Sequence, residues 1–253
     1  MQIDLNSDLG EGFGPWAMGN DAAILSLVTS ANVACGGHAS DPNTMVETLQ
    51  LARLGGVTVG AHPGYADPLG FGRRIIPMSA QEIERMVACQ IGALMGAAAL
   101  AGVKIRYVKA HGALANLAAD DRSVADAIAR AVAAISRDLA VLAISGTEQE
   151  PAAHVAGLQV FSEIFADRAY LPNGRLVPRS KPGAMIENAN DASARLLSFL
   201  QSGFMPVLDG TPIKLAAQSI CVHGDSAHAL EMARVIRQDL TAAGVTLAPF
   251  LAA

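Results

Sequence analysis

A chain of 253 residues, 51% hydrophobic but only 4% aromatic, must fill its core with alanine, valine and leucine, and the length suits one α/β barrel. A net charge of -5 without a basic stripe argues against nucleic acid as partner. The amino terminus has no basic segment before an apolar run, residues 91–103 are too short to span a bilayer, and Cys35, Cys89 and Cys221 lack paired spacing. No secretory signal, membrane span, disulfide framework or zinc knuckle is therefore expected, and the cytoplasm is the expected compartment.

Residues 2–6 alternate polar and apolar as a half-buried strand does, then enter Asp8-Leu9-Gly10-Glu11-Gly12-Phe13-Gly14, a loop with two carboxylates among glycines. Asn20 caps a short helix over 21–28. A strand over 31–35 runs into Gly36-Gly37-His38, and a helix starting at Pro42 ends at Gly55-Gly56. The strand 57–60 delivers His62. A loop over 66–77 holds Arg73-Arg74, and Ser79 with Glu82 forms a capping box that opens a long helix.

The strand 105–108 delivers Lys109 and His111 into a glycine turn. An amphipathic helix spans 121–136, a strand over 139–144 ends at Ser145, a short helix covers 148–155, and the strand 159–162 ends at Glu163. Residues 167–183 break the alternation. Asn173-Gly174 predicts a hairpin or long loop there, and it carries Arg168, Arg179 and Lys181. A helix over 189–201 follows, then a hairpin pairing 205–208 with 213–215 about Asp209-Gly210. The strand 219–222 delivers His223-Gly224-Asp225 ahead of a helix over 227–242.

Strand and helix alternate without a composition break, which predicts one domain over 1–253 with a parallel sheet, either a closed barrel or an open doubly wound sheet. In both, strand ends gather on one side, where ligands bind. Four of the six histidines, His38, His62, His111 and His223, follow predicted strands. One such histidine alone is usually structural; four in the same setting point to a site. His154 and His228 lie on predicted helices. Asp8, His38 and His62 can form an Asp-His-His metal site, although no HExxH motif is present. Lys109, Arg74, Arg168, Arg179 and Lys181 can bind phosphate or carboxylate, and there is no GxxxxGK[ST] loop.

Asp4-Leu5-Asn6 to Asp8-Leu9-Gly10-Glu11, Ser30-Ala31-Asn32 to Cys35 with His38, and Gly60-Ala61-His62-Pro63-Gly64-Tyr65 resemble the LamB/YcsF family. So do Gly70-Phe71-Gly72-Arg73-Arg74, Lys109 with His111-Gly112-Ala113-Leu114, Phe165-Ala166-Asp167-Arg168, Leu176-Val177-Pro178-Arg179 and Val222-His223-Gly224-Asp225. The resemblance implies a seven-stranded (β/α) barrel, TIM-like and of the glycoside hydrolase/deacetylase type. It implies the A-subunit role in an ATP-dependent 5-oxoprolinase, opening 5-oxo-L-proline to L-glutamate with ATP and magnesium and with B and C partner subunits.

On that reading Asp8, Lys109, His111, Glu163 and His223 are catalytic, and Asn6, Glu11, His38, His62, Arg74, Arg168, Arg179 and Asp225 bind substrate. Two other readings stay open: a metal-dependent amidase or deacetylase acting without ATP on Asp8, His38 and His62, and a non-catalytic ligand-binding subunit of a larger complex. The sequence departs from the family pattern at Ser7 (usually cysteine), Gly37 (aromatic), Ser40 (glycine), Ala110 (proline) and Ala115 (tyrosine).

Overall fold

The computed structural model of the chain describes residues 1–223 and 229–251. Its elements in order are β1 (Gln2–Leu9), α1 (Asp21–Leu25), β2 (Ser30–Ala34), α2 (Pro42–Leu54), β3 (Thr58–His62), α3 (Ala80–Ala101), β4 (Ile105–Val108), α4 (Gly112–Asp120) and α5 (Arg122–Ile135). They continue with β5 (Ala140–Ile144), α6 (Gln149–Val155), β6 (Val160–Phe165), α7 (Ala189–Ser202), β7 (Phe204–Met205), β8 (Ile213–Lys214), β9 (Ser219–Cys221), α8 (Ala229–Ala242) and β10 (Thr246–Leu247).

Among the described residues, β1 to β6 and β9 form a closed barrel of seven parallel strands. β9 closes it, pairing with β6 on one side and β1 on the other. β10 extends the start of β1 outside the ring, Gln2 opposite Thr246. The β7–β8 pair is an antiparallel ribbon between α7 and β9.

Local chemistry accounts for the element starts. Asp41 caps α2 by accepting from the backbone of Asn43 and Thr44, with Pro42 in the first turn. Ser79 and Glu82 form the reciprocal capping box of α3. Asp121 caps α5, whose Val124, Ile128 and Val132 face the barrel. The apolar run at 91–103 belongs mostly to α3, a helix long and apolar enough by composition to cross a membrane. α3 buries Ile83, Val87, Ile91 and Leu94 along one face, and it packs against α2 and α5.

The alternation in β1 is real, but both faces are buried. Leu5 and Leu9 belong to the apolar core, while Asp4, Asn6 and Asp8 turn into the barrel, where they bond Ser30, Asn32 and Lys109. At β3 and β4 the register slips between Val59 and Gly60, so that Gly60 lies opposite Tyr107. A Cβ on Gly60 would collide with the Tyr107 ring, which explains the glycine. Residues 112–120, expected as a turn, are helical.

Candidate active site

The carboxyl ends of the strands open into a cavity of about 510 Å³, within the usual range for small-molecule sites. Lys109 lies at its floor. The residue follows β4 directly, and its N–H still bonds the Ala61 carbonyl of the neighbouring strand. That contact directs the side chain inward. Its buried Nζ lies 2.9 Å from Asp8 Oδ1 and 3.2 Å from Glu163 Oε2, and it donates to Cys221 Sγ at 3.1 Å. Burial pushes the Lys109 ammonium down, but the facing carboxylates outweigh it and hold it well above the ordinary lysine value.

One cation cannot neutralise two buried acids, and the two separate. Burial pushes Asp8 up, yet His62 and Lys109 together hold it well below the usual carboxylate range. Glu163 moves the other way, because burial outweighs its share of Lys109. The surroundings shift Asp8 toward the ionised form and Glu163 toward the protonated form. Asn6 supports them from below, donating to Ser219 Oγ (2.6 Å) and Glu163 Oε2 (3.4 Å) while accepting from Asn32 (2.7 Å).

Glu11, His38, His62 and His111, from the ends of four different elements, cluster on one side of the floor. His62 Nδ1 donates to the Lys109 carbonyl at 2.8 Å, and His111 Nε2 donates to the Phe71 carbonyl at 2.9 Å. A carbonyl only accepts, so His62 Nδ1 and His111 Nε2 each carry a proton. His38 stacks on His111 with centroids 3.6 Å apart, and its Nε2 lies 3.1 Å from Glu11 Oε1. Burial, reinforced by the neighbouring histidines, holds His38 and His111 well below the ordinary imidazole value, so both are neutral.

Across the cavity His223 Nδ1 bonds Asp167 at 2.8 Å, which turns Nε2 outward, 3.4 Å from Arg179 Nη2. Phe165 stacks beneath the ring at 5.7 Å. Arg73, Arg168, Arg175 and Arg179 complete the wall. Arg168 is buried, donates to the Val177 carbonyl at 2.7 Å and is pushed down to about 10 by burial.

Of the residues expected at the site, Asp8, Glu11, His62, Lys109, His111, Glu163, Arg168, Arg179 and His223 line the cavity. Asn6 and His38 sit one layer behind it. Arg74 does not reach the cavity: it turns outward and pairs with Asp67, and Arg73 faces inward over the Phe71 ring. Lys181 is exposed and lies off the cavity wall, while Asp225 and His228 lie outside the described residues. The Asp8, His38 and His62 metal triad does not assemble either. Lys109 holds one Asp8 oxygen, and the groups of ligand-sized spacing among the described residues are Glu11, His38, His62 and His111 and, separately, Asp8, Cys221 and His223. Sequence reasoning misses Arg175, a cavity group, and Asp167, which holds the cavity residue His223 from behind. The signal for Asp167 is its place two residues after β6, in the register where other strands deliver their polar groups.

The LamB/YcsF family model matches residues 3–253. The chain belongs to the LamB/YcsF family. It is 49% identical over 251 residues to a 5-oxoprolinase A subunit of Rhodopseudomonas palustris, covering 99% of both chains. It is 49% identical over 245 residues to the protein of the same name from Gluconobacter oxydans, covering 97% of this chain and 96% of that one. The crystal structure of the lactam utilization protein from Thermus thermophilus superposes with a TM-score of 0.92 at 43% identity, covering 98% and 99% of the two chains.

The structure gives physical meaning to the LamB/YcsF departures. The Gln90 amide, which clamps both backbone groups of Gly64, fills the space a side chain at Gly37 would need. Ala110 and Ala115 both line the cavity, where their small side chains leave room.

Proposed function

We propose that the chain is the lactam-opening component of an ATP-dependent 5-oxoprolinase, working in the cytoplasm with B and C partner subunits. The observation that carries this reading is the buried Lys109 between the carboxyl groups of Asp8 and Glu163, at the floor of an arginine-walled cavity. The names of the relatives supply the substrate.

An unstrained lactam is a poor electrophile. Transfer of a phosphoryl group from ATP to its oxygen makes the ring carbon open to water, and the wall arginines suit the anion so formed. His223, its tautomer held by Asp167, accepts the proton of the attacking water at Nε2. Lys109 faces the phosphorylated group and offsets its negative charge as the tetrahedral centre forms. As the ring C–N bond breaks, the departing nitrogen takes the proton that His223 removed from the water, and a second water cleaves the resulting γ-glutamyl phosphate to glutamate and inorganic phosphate. A cavity that kept its cations on the outside would not support this reading.

The test is glutamate release from 5-oxoproline by the chain combined with its partner subunits and ATP. Lys109→Met is expected to lose roughly 10²–10³ in turnover. His223→Gln, at the wall, keeps the test open if Lys109→Met does not fold. Near-normal turnover in a folded Lys109→Met variant would remove the lysine from the chemistry. A complex that releases no glutamate would overturn the function.

A further inference from the structure

The bonds to Lys109 O and Phe71 O leave His62 Nε2 and His111 Nδ1 as the ring nitrogens turned away from the backbone. These two nitrogens lie 3.0 Å apart. Glu11 Oε1 lies 3.7 Å from the same His111 nitrogen, and the potential ligand atoms of Glu11, His38, His62 and His111 all lie within 4.8 Å of one another. Three potential ligand atoms thus converge where a bound cation can bridge them. We propose that His62 Nε2, His111 Nδ1 and Glu11 form a divalent transition-metal site beside the catalytic cavity, with His38 as the residue that positions Glu11.

The spacing fits. Ligand nitrogens about 2.1 Å from a metal and at right angles to each other are roughly 3.0 Å apart. Each ligand histidine already donates its other ring N–H to a backbone carbonyl, the arrangement that orients metal-bound imidazoles. His38, stacked at 3.6 Å on His111 and in contact with Glu11, holds both in place. Mixed imidazole and carboxylate ligands favour zinc, cobalt, nickel or iron over magnesium. Three of the four residues line the cavity wall, so the cation would lie at the edge of the space that takes the ligand.

A proton is the competing occupant: an imidazolium at His62 donating to both His111 Nδ1 and Asp8 Oδ2, the latter at 3.3 Å, would satisfy the same atoms. Metal uptake separates the two without substrate or partner subunits, and so independently of the lactam reading. Chelator-treated protein is titrated with Co²⁺ and, separately, Zn²⁺, following calorimetry, visible absorption and unfolding temperature.

The expected result is one equivalent bound, ligand-field bands for the Co²⁺ form and a higher unfolding temperature. His111→Asn should abolish uptake. His38→Gln should weaken it by roughly 10–100-fold, as loss of a positioning residue does. Glu11→Gln serves in place of His111→Asn if that variant does not fold. Wild-type protein that takes up no Co²⁺ or Zn²⁺, or uptake that persists unchanged in both His111→Asn and Glu11→Gln, overturns the site.

Discussion

Ser40 has a backbone φ of 79°, in the left-handed region that favours glycine, and its buried hydroxyl has no hydrogen-bond partner. This is the position where the family pattern has glycine. Ser40→Gly relieves the backbone and removes the stranded hydroxyl, against a smaller gain of freedom in the unfolded chain. A net stabilisation of about 1 kcal/mol is expected in urea unfolding; a destabilised variant would mean that the hydroxyl is paired in solution. Asp4 offers a second test at this scale. Burial pushes its carboxyl from 3.8 up to about 6, only partly offset by bonds from Ser219, Ser30 and Thr29. The folded chain therefore holds this proton more tightly than the unfolded chain does. Its contribution to stability is complete below the unfolded value near 4 and is lost as pH rises through 6. Asp4→Asn cannot titrate, so its stability relative to wild type should rise by up to about 3 kcal/mol between roughly pH 4 and 7. Parallel unfolding curves for the two proteins across that range would show that Asp4 ionises in the fold without penalty.

Residues 166–186, between β6 and α7, make a strap that forms one cavity wall. Bridges Arg168 to Met185 and Tyr170 to Leu176 stiffen it, and Arg195 from α7 donates to the carbonyls of Phe165, Ala166 and Arg168 at its base. Arg179 projects from this wall and is exposed. Arg179→Ala should weaken binding of an anionic ligand by roughly 10–100-fold and leave the unfolding temperature almost unchanged. Equal affinity, measured by calorimetry, would return Arg179 to the solvated surface. The strand ends are legible in the sequence because a parallel strand leaves its polar delivery at a fixed place, as with Lys109 after Val108 and Glu163 at the end of its predicted strand. Irregular loops carry no such register, so nothing local tells Arg73 from Arg74, and the fold turns only the former inward. Helix α4 is hidden because Gly112 looks like a turn. Gly112 does sit at φ 54° against the Gly72 carbonyl, but Leu114, Ala115 and Ala118 continue behind it as a buried helical face. The pairing of Glu11 with His38, His62 and His111 is a property of the side-by-side order of β1 to β4, which brings together residues up to about one hundred positions apart that no local pattern relates.

The barrel divides its labour between two ends. The cavity opens at the carboxyl end, while at the other end the segment 248–251 returns beneath the ring. There Phe250 meets Tyr107 at 4.9 Å and Phe161 at 4.8 Å, and Leu251 joins Tyr107, Ala140 and Leu142 in a small apolar cluster. Phe250→Ala should cost about 2–3 kcal/mol in urea unfolding while leaving ligand affinity intact; a change in affinity without a change in stability would reverse the assignment of the two ends. The closing strand β9 has a consequence for how the molecule comes into being. Asp4 and Ser219 bond across the seam although 215 positions separate them in sequence. During synthesis β1 to β6 emerge first, and until β9 follows they form a curved sheet with two bare edges, β1 and β6, each a template for strands of other chains. The ring can close only after the ribosome has released β9, so the nascent chain is at its most adhesive just before β9 emerges, and a chaperone would find its target at the β1 and β6 edges.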